Sequence, residues 1–344
     1  MEEGLGEGEA NGHWQATETL HWLSALALIQ GTRVFEGLFM GAFILRRILQ
    51  SVIVVLGVIV ITFLISRVLG DPVALLLPPE ATPEQRAYLT KDLGLDRPMY
   101  IQLAVYVGKV IRGDFGMSFR HEEPAMKLLL DRVPASLYLS LVATFFSVCI
   151  ALPLGIFSAI KRGTIFDRIG MTLALLGQSI PAFWAGIMMI LLFAVKLGWF
   201  PPSGYGGLRY VFLPALTLAF FFTAATARLT RSSVLDVLDM DYVRYARLKG
   251  VPERIVILRH VLRNSFITIL NIVALQLGLL LGGAVITEFI FSWPGIGRLS
   301  LDAIYNRDYP VIQATVVVAA AFFVVINLLV DLIYSATDPR ISRR

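Results

Sequence analysis

The sequence predicts an all-α integral membrane protein with six transmembrane helices, both termini cytoplasmic, and a helical outer loop between helices 1 and 2. Three observations predict it. Of 344 residues, 56% are hydrophobic and 16% charged, whereas soluble domains average roughly 45–50% and about 25%. Six stretches, 45–68, 135–160, 169–195, 212–229, 266–291 and 311–335, each supply the ~20 mostly apolar residues that a bilayer-crossing helix needs. The basic residues are unevenly spread. Segments 1–47, 161–168, 228–264 and 336–344 carry 17 Lys and Arg, against 4 in the short segments 196–211 and 292–310. The long segment 67–134 counts little toward orientation, so the basic set faces the cytoplasm.

The same numbers exclude an ordinary soluble enzyme. Barrel strands are excluded too, because the apolar runs exceed ~10 residues and do not alternate. Helices satisfy their own backbone groups in lipid. One cysteine, Cys149, provides neither a disulfide framework nor a thiolate cluster, and the four histidines share no ligand-like spacing, so no metal site is expected. The net charge of +5 lies on the cytoplasmic side. It faces anionic membrane lipid rather than nucleic acid.

Residues 1–40 form a separate N-terminal tail. It reads as a poorly ordered segment, or as an over-long start with Met40 as initiator, or as a helix along the inner membrane face using Trp22, Leu23, Leu26, Phe35 and Leu38. The remainder, 41–344, is one membrane domain.

The outer cap, 70–134, carries helix punctuation. Thr82-Pro83-Glu84-Gln85 is a capping box with proline at the first helical position, and Gly94 closes that helix. A second helix begins at Asp96-Arg97-Pro98 and stops at Gly113; Gly113-Asp114-Phe115-Gly116 makes a tight turn, and Pro124 opens a third short helix. Such a cap could meet a soluble partner, close a pathway, or simply pack.

The longest cytoplasmic loop between spans, 228–264, contains Asp241-Tyr242-Val243-Arg244-Tyr245-Ala246-Arg247-Leu248-Lys249-Gly250. Arg247 and Lys249 suit the negative end of a helix, Gly250 its left-handed cap, and Pro252 the first position of the next helix, leading into the fifth span. Composition alone leaves two readings: a device that turns a push on the surface into movement of the span, or an ordinary positive-inside loop.

This loop resembles the "EAA" loop of permease subunits in binding-protein-dependent ABC importers. Gly250, Ala246 and Leu262 match the family pattern, while Arg244, Tyr245, His260 and Arg263 depart from its general form and resemble the peptide-importer branch. The Gly70-Asp71-Pro72, Leu93–Pro98, Gly113–Gly116, Ser179–Trp184, Phe200–Tyr205 and Glu288–Gly297 segments follow that branch in order, over about 41–344. The chain is most similar to the B-type subunit of dipeptide, oligopeptide, glutathione and nickel importers. The resemblance implies a bacterial cytoplasmic membrane, a second permease subunit, two cytoplasmic phosphate-loop ATPases and an extracytoplasmic substrate-binding protein. It implies that Asp241, Tyr242, Ala246, Lys249 and Gly250 couple to an ATPase. ATP and Mg would sit on those partners, and no cofactor on this chain, which has no G-x-x-x-x-G-K-[ST] motif. The chain is then a transport subunit and not an enzyme.

Polar residues within spans mark pathways. The candidates are Gln178, Ser179, Asn271, Gln276 and Glu288. Gly278-x-x-x-Gly282 allows close helix approach, to a partner permease or within the subunit. The rival reading is an ion-coupled secondary transporter, which usually places ionisable residues near the midplane and often has internal repeats; neither is evident here.

Overall fold

The structure, a computed structural model, describes residues 44–67, 73, 77, 80–92 and 94–337, without the side chains of 281–283 and 334–337. The tail, the Gly70-Asp71-Pro72 segment and Leu93 lie outside them. The chain divides into two units, Met1–Ser51 with Asp331–Arg344, and Val52–Val330. In the first, Arg47 Nε lies 3.3 Å from Asp331 Oδ2. The second holds the cap, the packed cores and the surface helices.

Among the described residues the regular structure is helical, joined by turns and short loops, with one isolated bridge between Met117 and Pro124. In order, the helices are α1 (Ile44–Arg67), α2 (Pro83–Asp92), α3 (Met99–Ile111), α4 (Ala125–Ile160), α5 (Ile165–Ser179) and α6 (Ala182–Met189, continued without a break as the π-helical turn Ile190–Lys196). Then come α7 (Leu208–Leu238), α8 (Asp241–Leu248), α9 (Arg263–Gly283), α10 (Val285–Ile290), α11 (Ile296–Tyr305) and α12 (Tyr309–Thr337). Among the described residues, five helices are long and apolar enough to cross a bilayer, or six if a bent pair is one span.

The expected cap punctuation is present. Thr82 N–H donates to Gln85 Oε1 at 2.9 Å and Gln85 N–H to Thr82 Oγ1 at 3.3 Å, the two halves of a capping box. Gly94 and Gly113 both have left-handed φ, +65° and +79°. Asp114 Oδ1 accepts from Gly116 N–H at 2.9 Å and tightens the next turn.

Three boundaries differ from the sequence reading. Pro124 does open a helix, but not a third cap helix: α4 runs unbroken to Ile160, through Pro134 and Pro153. Each proline removes one backbone bond without ending so long a helix. The third span is not one rod over 169–195. It bends by 95° between α5 and α6, because Pro181 forbids helical geometry at Ile180, which is extended at φ −78°, ψ 124°. Finally, the span expected to end near 291 ends with α9, and Glu288 sits on the separate helix α10.

α4 and α7 form the centre, and small residues let them meet. Ser136, Ser140, Ala143, Ser147, Ala151, Gly155 and Ser158 recur every three or four residues on the buried face of α4. Facing them on α7 are buried Ala215, Ala219, Thr223, Ala227 and Thr230. At Gly155 a methyl would lie 2.6 Å from the Ala227 carbonyl oxygen. The helix of 36 residues is about 54 Å long at 1.5 Å per residue, so its ends serve different cores. Near its start, Leu129 and Val133 pack with cap residues Val110 and Phe115 and with Leu299 and Val311. Near its end, Ala159 joins Val234, Val237, Val243, Ala246, Val256 and Val261.

Candidate functional site

The second of these cores seats α8. Val243 and Ala246, three residues apart, point into it. The turn after α8 is a Schellman motif: Val251 N–H reaches the Ala246 carbonyl at 3.2 Å and Gly250 N–H the Arg247 carbonyl at 2.9 Å. Gly250 has φ +77°, a conformation that side-chain-bearing residues adopt at a cost. Pro252 stands one position before the first helical residue, Glu253, rather than at it.

Two polar ties fasten α8 to the segment leading into α9. Arg247 donates through Nε and Nη2 to both Glu253 oxygens, at 3.1 and 2.7 Å. Tyr242 Oη accepts from Asn264 Nδ2 at 2.9 Å and donates to the His260 carbonyl at 3.4 Å. Burial raises the Tyr242 phenol pKa, opposed by the Asn264 bond, so the group stays neutral and keeps its proton to donate. Between Glu253 and α9 the backbone is π-helical, Val256–Leu262. The result is a short surface helix held firmly on the foot of a membrane-length helix.

The structure separates the five predicted coupling residues. Asp241, Lys249 and Gly250 are exposed; Tyr242 is partly tied inward; Ala246 is buried, because its spacing from Val243 puts it on the packed face. The outward face of the α8 region carries Asp241 and Arg244 together with exposed apolar and aromatic side chains: Met240, Tyr245, Leu248 and, just beyond, Leu258, with Leu248 exposed by 81%. The sequence reading omits these four, although the Val243–Ala246 spacing already leaves Tyr245 and Leu248 pointing away.

The pathway candidates also divide. Gln178 Oε1 accepts from Arg228 Nη2 at 2.8 Å, and Ser179 hydrogen-bonds its own helix at the Leu175 carbonyl, 3.0 Å. Asn271 is exposed. Gln276 is buried and donates to the Phe222 carbonyl at 2.9 Å and to Thr226 Oγ1, joining α9 to α7. Gly278 approaches Phe323 of α12, so at this position the close packing lies within the subunit.

Glu288 is fully enclosed. Ser136 Oγ donates to Oε1 at 2.7 Å, Arg298 N–H to Oε2 at 3.0 Å, and Gly297 N–H adds a further bond. The carboxylate thus sits at the N-terminus of α11, where unpaired N–H groups favour an anion. A Cβ at Gly295 would overlap it, and one at Gly297 would lie 2.7 Å from Val285 Cα. Trp293 is buried, donating to the Ala135 carbonyl at 2.9 Å, and Tyr205 packs edge-on against it. Gly204 N–H meets the Phe291 carbonyl at 2.9 Å. The Phe200–Tyr205 and Glu288–Gly297 segments are therefore one packed knot.

Membrane-length helices bearing a stapled surface helix define a multi-helix membrane protein with a surface helix anchored to it. The family described as "Binding-protein-dependent transport system inner membrane component" matches residues 151–343, and its N-terminal companion matches 40–140. A glutathione transport system permease protein of Salmonella choleraesuis (strain SC-B67) is 41% identical over 300 residues, covering 87% of this chain and 98% of the relative. A putative peptide transport system permease protein of Brucella abortus (strain 2308) is 40% identical over 311 residues, covering 88% and 99%. Among solved structures, the MetNI methionine ABC transporter in an inward-facing crystal form shares the fold, with TM-score 0.55, 20% identity, and 62% of this chain and 97% of that chain covered. The chain belongs to the binding-protein-dependent transport system inner membrane components, as a multi-pass ABC importer permease of the bacterial inner membrane. Family membership disfavours the secondary-transporter reading and places ATP hydrolysis on partner chains.

Proposed function

We propose that the chain forms half of the translocation pathway of an importer for glutathione, peptides or similar small solutes, and that α8 couples it to an ATPase. The observation that carries this reading is the exposed Tyr245–Leu248 face on a helix stapled to the foot of α9. A groove on an ATPase would take these side chains, with Asp241, Tyr242, Lys249 and Gly250 at the margin and Ala246 holding the helix from behind. ATP and Mg would bind that ATPase, not this chain. A second permease would complete the pathway, a second ATPase the motor, and an extracytoplasmic binding protein would deliver solute to the cap. In this reading six spans cross the membrane with both termini inside, counting α5 and α6 as one broken span. Gln178, Ser179 and Asn271 line the pathway, being polar groups not buried within the subunit; Gln276 and Glu288 hold the fold.

The test is purification of the complex in mild detergent from membranes carrying either the native chain or a Tyr245→Glu, Leu248→Glu variant. The native chain is expected to bring down a second permease and phosphate-loop ATPases. The variant should keep the permease and lose at least nine-tenths of the ATPase. Retention of the ATPase would remove α8 from the docking role.

A further inference from the structure

A cavity of about 220 Å³ lies where the start of α4, the turn before it, and α11 converge. Its walls carry three guanidinium groups, from Arg120, Arg132 and Arg298, with His121 beside them. The two lining carboxylates leave most of that charge unanswered. Asp308, 2% exposed, is already occupied by the Ser118 hydroxyl and by the Phe119 and Arg120 N–H groups, at 2.5, 3.2 and 3.4 Å. Asp302 stands 3.9 Å from Arg298, the outer limit of an ion pair, and both are well exposed. The Arg120 guanidinium donates to the neutral Asn306 amide oxygen and has no carboxylate partner among the described residues. Arg132 has no side-chain hydrogen-bond or ion-pair partner among the described residues. Glu288, behind Gly295, is fully spent on its own donors.

Convergent arginines on one concave, solvent-accessible wall select one chemistry. A guanidinium fork matches a carboxylate in two parallel hydrogen bonds, and a cleft with an excess of one sign of charge concentrates the opposite one. At about 30 Å³ per water molecule, the cavity holds roughly seven waters' volume. That is room for a whole terminal amino-acid unit, several times what one carboxylate needs. We infer that this cavity is a carboxylate-recognition site of the importer, taking the free carboxyl end of the transported solute as it enters. The inference rests on the proposed solute class and on the cap and α11 facing outward.

The test is uptake by cells carrying the complete importer, using labelled glutathione and trialanine, each as the free acid and as its C-terminal carboxamide. The native importer should prefer the acid. Arg120→Gln with Arg132→Gln should lower the acid-to-amide ratio about tenfold, and Arg120→Lys with Arg132→Lys should restore part of it, at equal amounts of chain in the membrane. Uptake of neither solute by the native importer would overturn the solute class, and this inference with it. Native uptake with an unchanged ratio in the Gln variant would overturn the inference alone. An equal fall for acid and amide would also overturn it, by assigning the arginines to an acidic side chain of a partner protein.

Discussion

At the scale of single residues, Gly250 illustrates how a conformation can matter more than a contact. Nothing lies within 4 Å of where its Cβ would be, yet its φ is +77°. Substitution therefore costs backbone energy and no packing: about 1–2 kcal/mol for an ordinary residue in the left-handed region, with asparagine tolerated best. Gly250→Val is expected to abolish most uptake while membrane levels stay near normal, and Gly250→Asn to keep substantial uptake. Solute uptake set against immunoblotted membrane content measures both, and normal uptake in the valine variant would sink the coupling role. The Arg247–Glu253 pair contributes less than its geometry suggests. With side chains 40% and 54% exposed, it is worth at most about 1 kcal/mol, so burial of Val243 and Ala246 does most of the seating. Gly250 is legible in the sequence through its place after a basic last turn. Ala246 is ambiguous there, because a small residue suits a docking face and a packed face equally well.

At the scale of elements, helix contact here depends on small side chains more than on apolar bulk. Lipid tails are as apolar as leucine, so helices associate in a membrane where their backbones can come close. The α4–α7 contact follows that rule, and it makes Gly155 sensitive. Even a methyl there would press on the Ala227 carbonyl, and overpacking of this kind costs about 1–3 kcal/mol or more. Gly155→Leu is expected to lower the thermal midpoint of the detergent-solubilised chain by several degrees and to reduce its membrane level, as fluorescence size-exclusion after heating would report. A midpoint equal to the native one would mean that the two helices do not meet there. The serine and alanine stripe is present in the sequence at helical spacing, but hydropathy ranks such residues low, so Gly278 and Gly282 stand out instead. The cap helices are legible because capping is local chemistry: Thr82 and Gln85 need only each other. The bend at Pro181 and the end of α9 are not, since hydropathy measures apolar content and is blind to direction.

At the scale of the whole molecule, the proposed sidedness rests on the distribution of charge. With a 17-to-4 excess of basic residues on its segments, the α8 side is expected inside and the cap outside. Cys149 is exposed and is the single native thiol, so a Cys149→Ser background makes the arrangement measurable. Added to that background, Glu123→Cys is expected to react with a membrane-impermeant maleimide in intact spheroplasts and Lys249→Cys only in inverted vesicles. The opposite pattern would reverse the orientation. The helical membrane class is legible from length and composition, whereas the joining of remote segments is not. Glu288 and Trp293 meet Ser136 and Ala135 across more than 150 residues of sequence, and no local signal announces it.

The order of synthesis bears on that meeting. A ribosome releases Glu288 before it releases Gly297 and Arg298, whose amides complete the carboxylate's partners. Until α11 emerges and folds back beside α4, the nascent protein holds an acidic group at the membrane boundary with one hydroxyl to satisfy it. Synthesis of the fifth span is therefore not the moment at which that span becomes settled. Its final placement waits on the ten residues after Glu288, and a chain interrupted between the two would leave the Glu288 carboxyl without the backbone donors that enclose it.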